Sequence, residues 1–381
     1  MMPQHTTQAL RQRGFNLVEL LISMALATTV FMAITTLFVR QSEMMQQQNE
    51  LIVLNREARF GLDHLRRDLT SLGSNTTPNS LVDPLVCPKP AVQIRALTVD
   101  TTNGYVGAVA YNPNVVPTSL TLFGSLDIKN RYKSYRIEGS TITLYDGTLP
   151  TSQADMDAIF SVDRFVRIAG GDGQQMFFPI VATSQSSRTI TVGGVVPRVA
   201  TNNTCGYTGI GANYNIDVQN FVRYRVVADS RPGSPVDKAN KSLQSLLVRE
   251  SLSVDGITVK SQLVLVENAV DLQIYDVGYD KDPLPDSLKI EVKRLVDEVF
   301  QSGGAGLLGN TNAARPEALR FMTVKLSVRT TWPRDKLVHK PRDVFWQPLD
   351  TWLLPDEVTG SHPVISAAAR VSFPTLISRN L

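Results

Sequence analysis

The sequence has few of the residues that build cofactor, metal or hydrolytic sites. Its 381 residues include two cysteines and four histidines, and the histidines stand singly along the chain. Neither a Cys-x-x-Cys motif nor a Cys/His cluster is present, which argues against a zinc site. The Gly-x-Ser-x-Gly elbow of many serine hydrolases is also missing. We therefore expect neither catalytic residues nor a bound cofactor, and interpret the chain as a non-enzyme.

An excess of charge of one sign is also lacking. Lys and Arg number 38 against 35 Asp and Glu, so the formal net charge is +3. This balance does not favour nucleic acid as a partner. The arginines between residues 56 and 67 alternate with Glu57, Asp63 and Asp68. We expect these arginines and acidic residues, together with His64, to form a solvated helix face.

Glycine and proline are absent from Phe15 to Phe60, which predicts one continuous helix. Its first 25 residues, up to Val39, are apolar except for a few hydroxyls, Asn16 and the single charge of Glu19. A helix of that length extends about 37 Å, and the hydrocarbon core of a bilayer is about 30 Å thick. The sequence therefore predicts a membrane-spanning segment.

The segment that precedes this helix sets its orientation. Residues 1–14 contain Arg11 and Arg13 and no acidic residue, so the positive-inside bias keeps them in the cytoplasm. A cleaved secretory signal has an apolar core of about 7–15 residues and a small-residue exit, and this run is longer and has no such exit. A plain signal anchor that tethers a periplasmic binding domain remains the alternative.

The junction between the leader and the helix resembles a known signal. Its sequence, Gly-Phe-Asn-Leu-Val-Glu from Gly14 to Glu19, is similar to the processing and assembly signal of type IV prepilins. The resemblance implies that a prepilin peptidase cleaves after Gly14 and that the new N-terminal Phe15 is methylated. It also implies that Glu19 supports assembly of subunits into a fibre.

Beyond the membrane segment the pattern changes twice. From residue 40 to Gly73 the apolar residues recur in steps of three and four, which predicts an amphipathic helix that ends at a glycine cap. Period-two alternation from residue 91 to 275, and again at Leu319–Arg329, predicts antiparallel strands. Leu288–Phe300 has helical spacing. The expected fold class is α+β and type IV pilin-like, with a long N-terminal helix packed on a mainly antiparallel β-sheet head.

Four regions follow from these patterns. They are a cytoplasmic leader (1–14), a transmembrane and assembly helix (15–39), an amphipathic spine helix (40–73), and a periplasmic or extracellular β-rich head (74–381).

The C-terminal half carries a second, looser resemblance. The segments 246–250, 265–275, Leu319–Arg329 and 378–380 are similar to those of PilW-type minor pilins. The implied function is initiation of a type IV pilus or a place in its tip complex. The implied partners are the prepilin peptidase, other minor and major pilins, the inner-membrane assembly platform and a tip adhesin. A type II secretion pseudopilin of the J kind is the alternative.

Two further groups of residues are candidates for covalent or ionic links. Cys87 and Cys205 would lie on the side of the membrane where disulfides persist, so they form either one bridge or two buried thiols.

Asp276, Asp280, Asp282 and Asp286 supply four carboxylates within eleven residues, which are ligands of the type that calcium takes. Their spacing does not match an EF-hand, and a solvated acidic turn is the alternative.

Overall fold

The computed structural model describes residues 16–72, 75–100, 105–106, 118–201, 204–234, 244–280, 290–293, 316–330 and 364–373. These residues fall into two units, one up to Val53 and one from Leu54 onward. A long apolar N-terminal helix and a large antiparallel sheet confirm the predicted α+β class.

The helices are α1 (Leu17–Thr70) and α2 (Gln153–Ile159). The strands are β1 (Leu97–Asp100), β2 (Tyr105–Val106), β3 (Ser119–Gly124), β4 (Arg131–Glu138), β5 (Thr141–Leu144), β6 (Phe165–Ala169), β7 (Gln175–Ser184), β8 (Thr189–Val192), β9 (Asn215–Ala228), β10 (Ser245–Leu252), β11 (Val259–Glu267), β12 (Ala269–Asp280), β13 (Ile290–Lys293), β14 (Leu319–Arg329) and β15 (Val364–Ser372).

Helix α1 is continuous over its 54 residues, as the absence of glycine and proline from Phe15 to Phe60 predicts. It ends at Thr70, slightly before the predicted end at Gly73, which lies outside the described residues. The last turn tightens, because the Leu72 amide donates to the Leu69 carbonyl and the Ser71 hydroxyl donates to the Asp68 carbonyl. Local side-chain bonds of this kind compete with the helical ladder and favour termination.

The second half of α1 buries one face, as the amphipathic pattern predicts. Leu54, Ala58, Leu62, Leu65 and Leu69 recur every three or four residues and are all buried. This stripe packs in one apolar core with strands of both sheets, including β3, β9, β10, β12 and β14. Burial on two sheets supplies the stability that an isolated helix lacks in water.

Strand β9 is shared between two parts of the larger sheet. Its C-terminal half pairs with β3 and β10 beneath α1, whereas its first residues pair with β4 on one side and β6 on the other. Ile216 and Val218 are buried in a second apolar core, and Val222, Tyr224 and Val226 are buried against α1. Because these residues alternate along the strand, the same face of β9 covers both cores.

The strands from β4 to β9 form a closed six-stranded antiparallel barrel. The pairing runs β9, β4, β5, β8, β7 and β6, and β6 pairs back onto β9. The apolar core of the barrel includes Met156 and Phe160 from α2 and its C-cap, and Phe160 contacts the ring of Tyr132. Closure leaves no free strand edge in the ring. Neither the barrel nor α2 was predicted from the sequence.

One side of the barrel is covered by the segment from residue 75 to 96. Val86 and Ile94 of this segment pack with Phe165 and Phe177 on β6 and β7. Val86 also forms an isolated β-bridge with Gln175 at the start of β7. The half of the barrel made by β6, β7 and β9 is therefore the half attached to the rest of the unit.

The smaller sheet has the strand order β13, β12, β14, β15, and all its pairs are antiparallel. The predicted strand at Leu319–Arg329 is confirmed as β14. The predicted helix at Leu288–Phe300 is wrong where it is described, because Ile290–Lys293 pairs with β12 as a strand. The alternation of Ile290 and Val292 at i and i+2 fits a strand, although the longer segment also has helical spacing. Pairing with β12 shows that these residues form a strand.

Candidate functional site

The N-terminal part of α1 carries the site that the sequence analysis singled out. Gly14 and Phe15 lie outside the described residues. Asn16 directly precedes the helix, and its backbone carbonyl accepts hydrogen bonds from the amides of Glu19 and Leu20 at 2.9 and 3.1 Å. Glu19 therefore lies in the first helical turn, where the positive end of the helix dipole favours a carboxylate.

The Glu19 side chain is exposed and, within the described part of the chain, has neither a hydrogen bond nor an ion pair. Every other residue from 16 to 49 is exposed as well, including large apolar side chains such as Leu17, Phe31 and Phe38. Exposed apolar surface on this scale indicates contact with lipid or with another protein. Among the described residues, α1 is the one helix long and apolar enough to cross a membrane.

The hydroxyl groups of this apolar segment are satisfied within the helix. Ser23, Thr28, Thr29, Thr35 and Thr36 each donate to a backbone carbonyl three or four residues earlier, at 2.8 to 3.0 Å. Internal bonds of this kind lower the cost of placing a hydroxyl in an apolar medium. The Glu19 carboxylate is the charged group of this segment, and it has no side-chain partner among the described residues.

Gly61 marks the closest approach of α1 to the sheets beneath it. A Cβ at this position would lie 2.5 Å from Val266 Cγ2 and 3.0 Å from Leu326 Cδ2. Val266 belongs to β11 and Leu326 to β14, so the glycine allows the helix to contact both sheets at one point. This glycine is needed for its lack of a side chain.

A buried polar cluster fastens the C-terminal end of α1 to the β-rich head. The Tyr224 hydroxyl donates to Asp68 Oδ2 at 2.6 Å, and Arg249 Nε donates to the same oxygen at 2.9 Å. Arg249 Nη2 reaches Asp127 Oδ1 at 2.6 Å in the segment between β3 and β4. His64 Nδ1 lies 3.0 Å from the Tyr224 oxygen. Since that hydroxyl already donates to Asp68, the imidazole is the donor in this contact.

The prediction of a solvated helix face is therefore wrong for Asp68 and His64. Asp68 is buried, and His64 is partly buried between Phe60 and Tyr224. Both partners of Asp68 come from strands more than 150 residues later in the chain, so no local spacing could have shown the cluster. The rule for paired charges along a helix considers neighbours three and four residues away only.

The cluster shifts the protonation equilibria of its members. Burial raises the pKa of Tyr224, and the charge and hydrogen bond of Asp68 raise it further. Burial lowers the pKa of His64, and the positive charges of Arg249 and Arg67 act in the same direction, whereas Asp68 opposes them. Burial disfavours the charged form of Arg249, but Asp127 and Asp68 outweigh it and raise the pKa of the guanidinium. Arg249 stays charged, and the neutral forms of Tyr224 and His64 are favoured.

The two cysteines are joined in a disulfide, with 5.5 Å between the Cα atoms of Cys87 and Cys205. The Cys87 amide donates to the carbonyl of Gln175 at 3.0 Å, and the bridge joins the covering segment to the segment between β8 and β9. The bridge closes a loop of 118 positions. In the chain-entropy model, a cross-link over a loop of this size stabilises a fold by a few kcal/mol.

Two of the four acidic candidates for calcium lie in the described part of the chain. Asp276 and Asp280 lie on β12, whereas Asp282 and Asp286 lie outside the described residues. In the described part of the chain, no group of three or more His, Cys, Asp or Glu side chains is placed to hold a metal ion.

No protein-family model, curated protein or solved structure matches this chain.

Proposed function

We propose that this chain is a type IV pilin-like minor subunit of the PilW type, which is built into a pilus and helps to initiate it or to form its tip. One observation carries the proposal: a single carboxylate stands in the first turn of a helix whose apolar side chains are all exposed up to residue 49. The same helix buries a face on two sheets from Leu54 onward. A subunit that is anchored in a membrane and then packed among identical helices needs both properties.

Glu19 has a defined task in this proposal. The hydroxyls of the span bond within their own helix, so the carboxylate is left to pair with a group from another molecule. Cleavage after Gly14 would create an amine on Phe15 at the membrane boundary. Pairing of that amine with Glu19 of a neighbouring subunit neutralises two charges in an apolar surrounding, where an unpaired charge costs several kcal/mol.

The leader is the first point to test. Removal of residues 1–14 discards Arg11 and Arg13 and takes the formal charge from +3 to +1, a difference of two positive charges. Intact-mass and N-terminal peptide spectra of protein from cells with a prepilin peptidase should show methylated Phe15 as the first residue. An intact Met1, or a cut within the apolar span, would contradict the assignment and favour the signal anchor.

The second test separates assembly from anchoring. We expect Glu19→Leu to insert and to be cleaved normally but to be missing from sheared fibres, because the Phe15 amine then lacks its partner. Glu43→Leu is the matched control, since Glu43 is also an exposed glutamate of α1 but lies outside the apolar span. Equal incorporation of both variants would refute the pairing, and loss of cleavage in Glu19→Leu would assign the carboxylate to peptidase recognition.

A further inference from the structure

The half of the barrel opposite its attached side faces outward. Strands β4, β5 and β8 make up this half, whereas β6, β7 and β9 are covered or continue into the sheet beneath α1. On the outer face, Thr141 pairs with Thr191 and Thr143 pairs with Thr189 across β5 and β8, and all four side chains are partly exposed. The pairs form a two-by-two array of hydroxyl and methyl groups.

Two tyrosines stand beside this array. A register irregularity in β4 between Ser134 and Arg136 leaves both Tyr135 and Arg136 exposed, although side chains of a regular strand alternate. The rings of Tyr135 and Tyr145 meet edge to face with 5.5 Å between their centroids, and they are 52% and 40% exposed. Tyrosine pairs this exposed are rigid contact surfaces with polar ends, of the type enriched at binding sites.

The charges around the tyrosines are largely paired with one another. Arg136 pairs with Glu138, and Arg188 pairs with Asp146 at 3.4 Å. Arg131, also exposed on β4, pairs with Asp217 at 3.6 Å, which leaves Lys133 as the cation of this face without an ion pair among the described residues. A polyanion such as nucleic acid needs several free cations along its path, and this face does not offer them.

We propose that the outer face of β4, β5 and β8 binds a neutral carbohydrate. A sugar ring has an apolar C–H face that fits against a tyrosine ring and a rim of hydroxyls that needs donors and acceptors. Tyr135 and Tyr145 supply the rings, the threonine array supplies hydroxyls, and the Arg136–Glu138 pair supplies a charged donor beside a charged acceptor. This proposal is independent of the proposed pilin function, since it concerns the barrel alone.

The experiment uses the full chain in a detergent without a sugar headgroup. The labelled protein is applied to an array of defined neutral and acidic glycans, and the neutral oligosaccharide with the strongest signal is then titrated in solution. We expect Tyr135→Ala and Tyr145→Ala each to weaken its binding about tenfold. Thr143→Val, which keeps the shape and removes one hydroxyl, should weaken it several-fold.

Ile257→Ala is the matched control, because Ile257 is 72% exposed but lies in the turn between β10 and β11, outside β4, β5 and β8. This variant should bind as the unchanged chain does, and equal melting temperatures would show that the tyrosine variants are folded. Failure to bind any neutral glycan would overturn the proposal. Binding that is insensitive to both tyrosine substitutions would overturn it too. Tyrosine-dependent binding of single-stranded oligodeoxythymidylate without glycan binding would assign the face to nucleic acid instead.

Discussion

Replacement of Arg249 should weaken the buried polar cluster that fastens α1 to the β-rich head. Arg249 donates to Asp68 at 2.9 Å and to Asp127 at 2.6 Å, and its side chain is 10% exposed. In Arg249→Gln both carboxylates lose a positive charge at contact distance. Asp127 retains Asn220 as a donor at 2.8 Å, whereas Asp68 retains the Tyr224 hydroxyl only, among the contacts described above.

The expected magnitude follows from the burial of Asp68. Removal of one partner from a buried ion pair costs about 3–5 kcal/mol, because an uncompensated charge is left behind. The Asp68 side chain is 11% exposed and keeps one strong donor, which places the loss near the lower limit. We expect Arg249→Gln to lower the free energy of unfolding by about 3 kcal/mol.

A double-mutant cycle with Asp68→Asn tests the cause of this loss. If the stranded carboxylate dominates the cost, the double variant is more stable than the sum of the single variants by at least about 1.5 kcal/mol. Urea unfolding of the full chain in detergent micelles, followed by tryptophan fluorescence and by circular dichroism, gives each free energy.

Arg188→Gln is the matched control, because Arg188 pairs at 3.4 Å with an Asp146 side chain that is 82% exposed. The free energy of unfolding of Arg188→Gln should differ from that of the unchanged chain by no more than about 0.5 kcal/mol. If Arg249→Gln costs no more than this control and the cycle shows no coupling, the cluster does not fasten the helix to the β-rich head.

Two further predictions concern the same helix. Gly61→Ala should lower the free energy of unfolding by about 1 kcal/mol, since overlap with Val266 and Leu326 outweighs the better helix propensity of alanine. An unchanged or higher free energy of unfolding, measured with urea, would contradict the close approach. The pKa of His64 is lowered in the fold from the ordinary histidine pKa of 6.5, so just below that pH the unfolded chain binds more protons than the folded chain. The free energy of unfolding should therefore fall as the pH drops from about 7.5 to about 5.5. His64→Gln keeps a donor toward Tyr224 and should flatten that part of the pH profile; a profile identical to that of the unchanged chain would refute the assignment.

The sequence by itself determined the long helix and most of the strands. The run from Phe15 to Phe60 without glycine or proline leaves the helical ladder intact, and the helix is continuous over Leu17–Thr70, including Gly61. The apolar steps from Leu54 to Leu69 determined which face is buried, because helical periodicity is a local property.

The tertiary structure decided what depends on partners far apart in the chain. Periodicity indicates that a segment is a strand but not which strand pairs with it, so the closure of the barrel by β6 on β9 was not visible in the sequence. Asp68 and His64 looked like surface residues because their helical neighbours are charged, and they are held by Tyr224 and Arg249 because β9 and β10 cross beneath the helix. Short-range patterns determine the long helix and its apolar buried face, whereas ion pairs between remote residues exist only once the chain is folded.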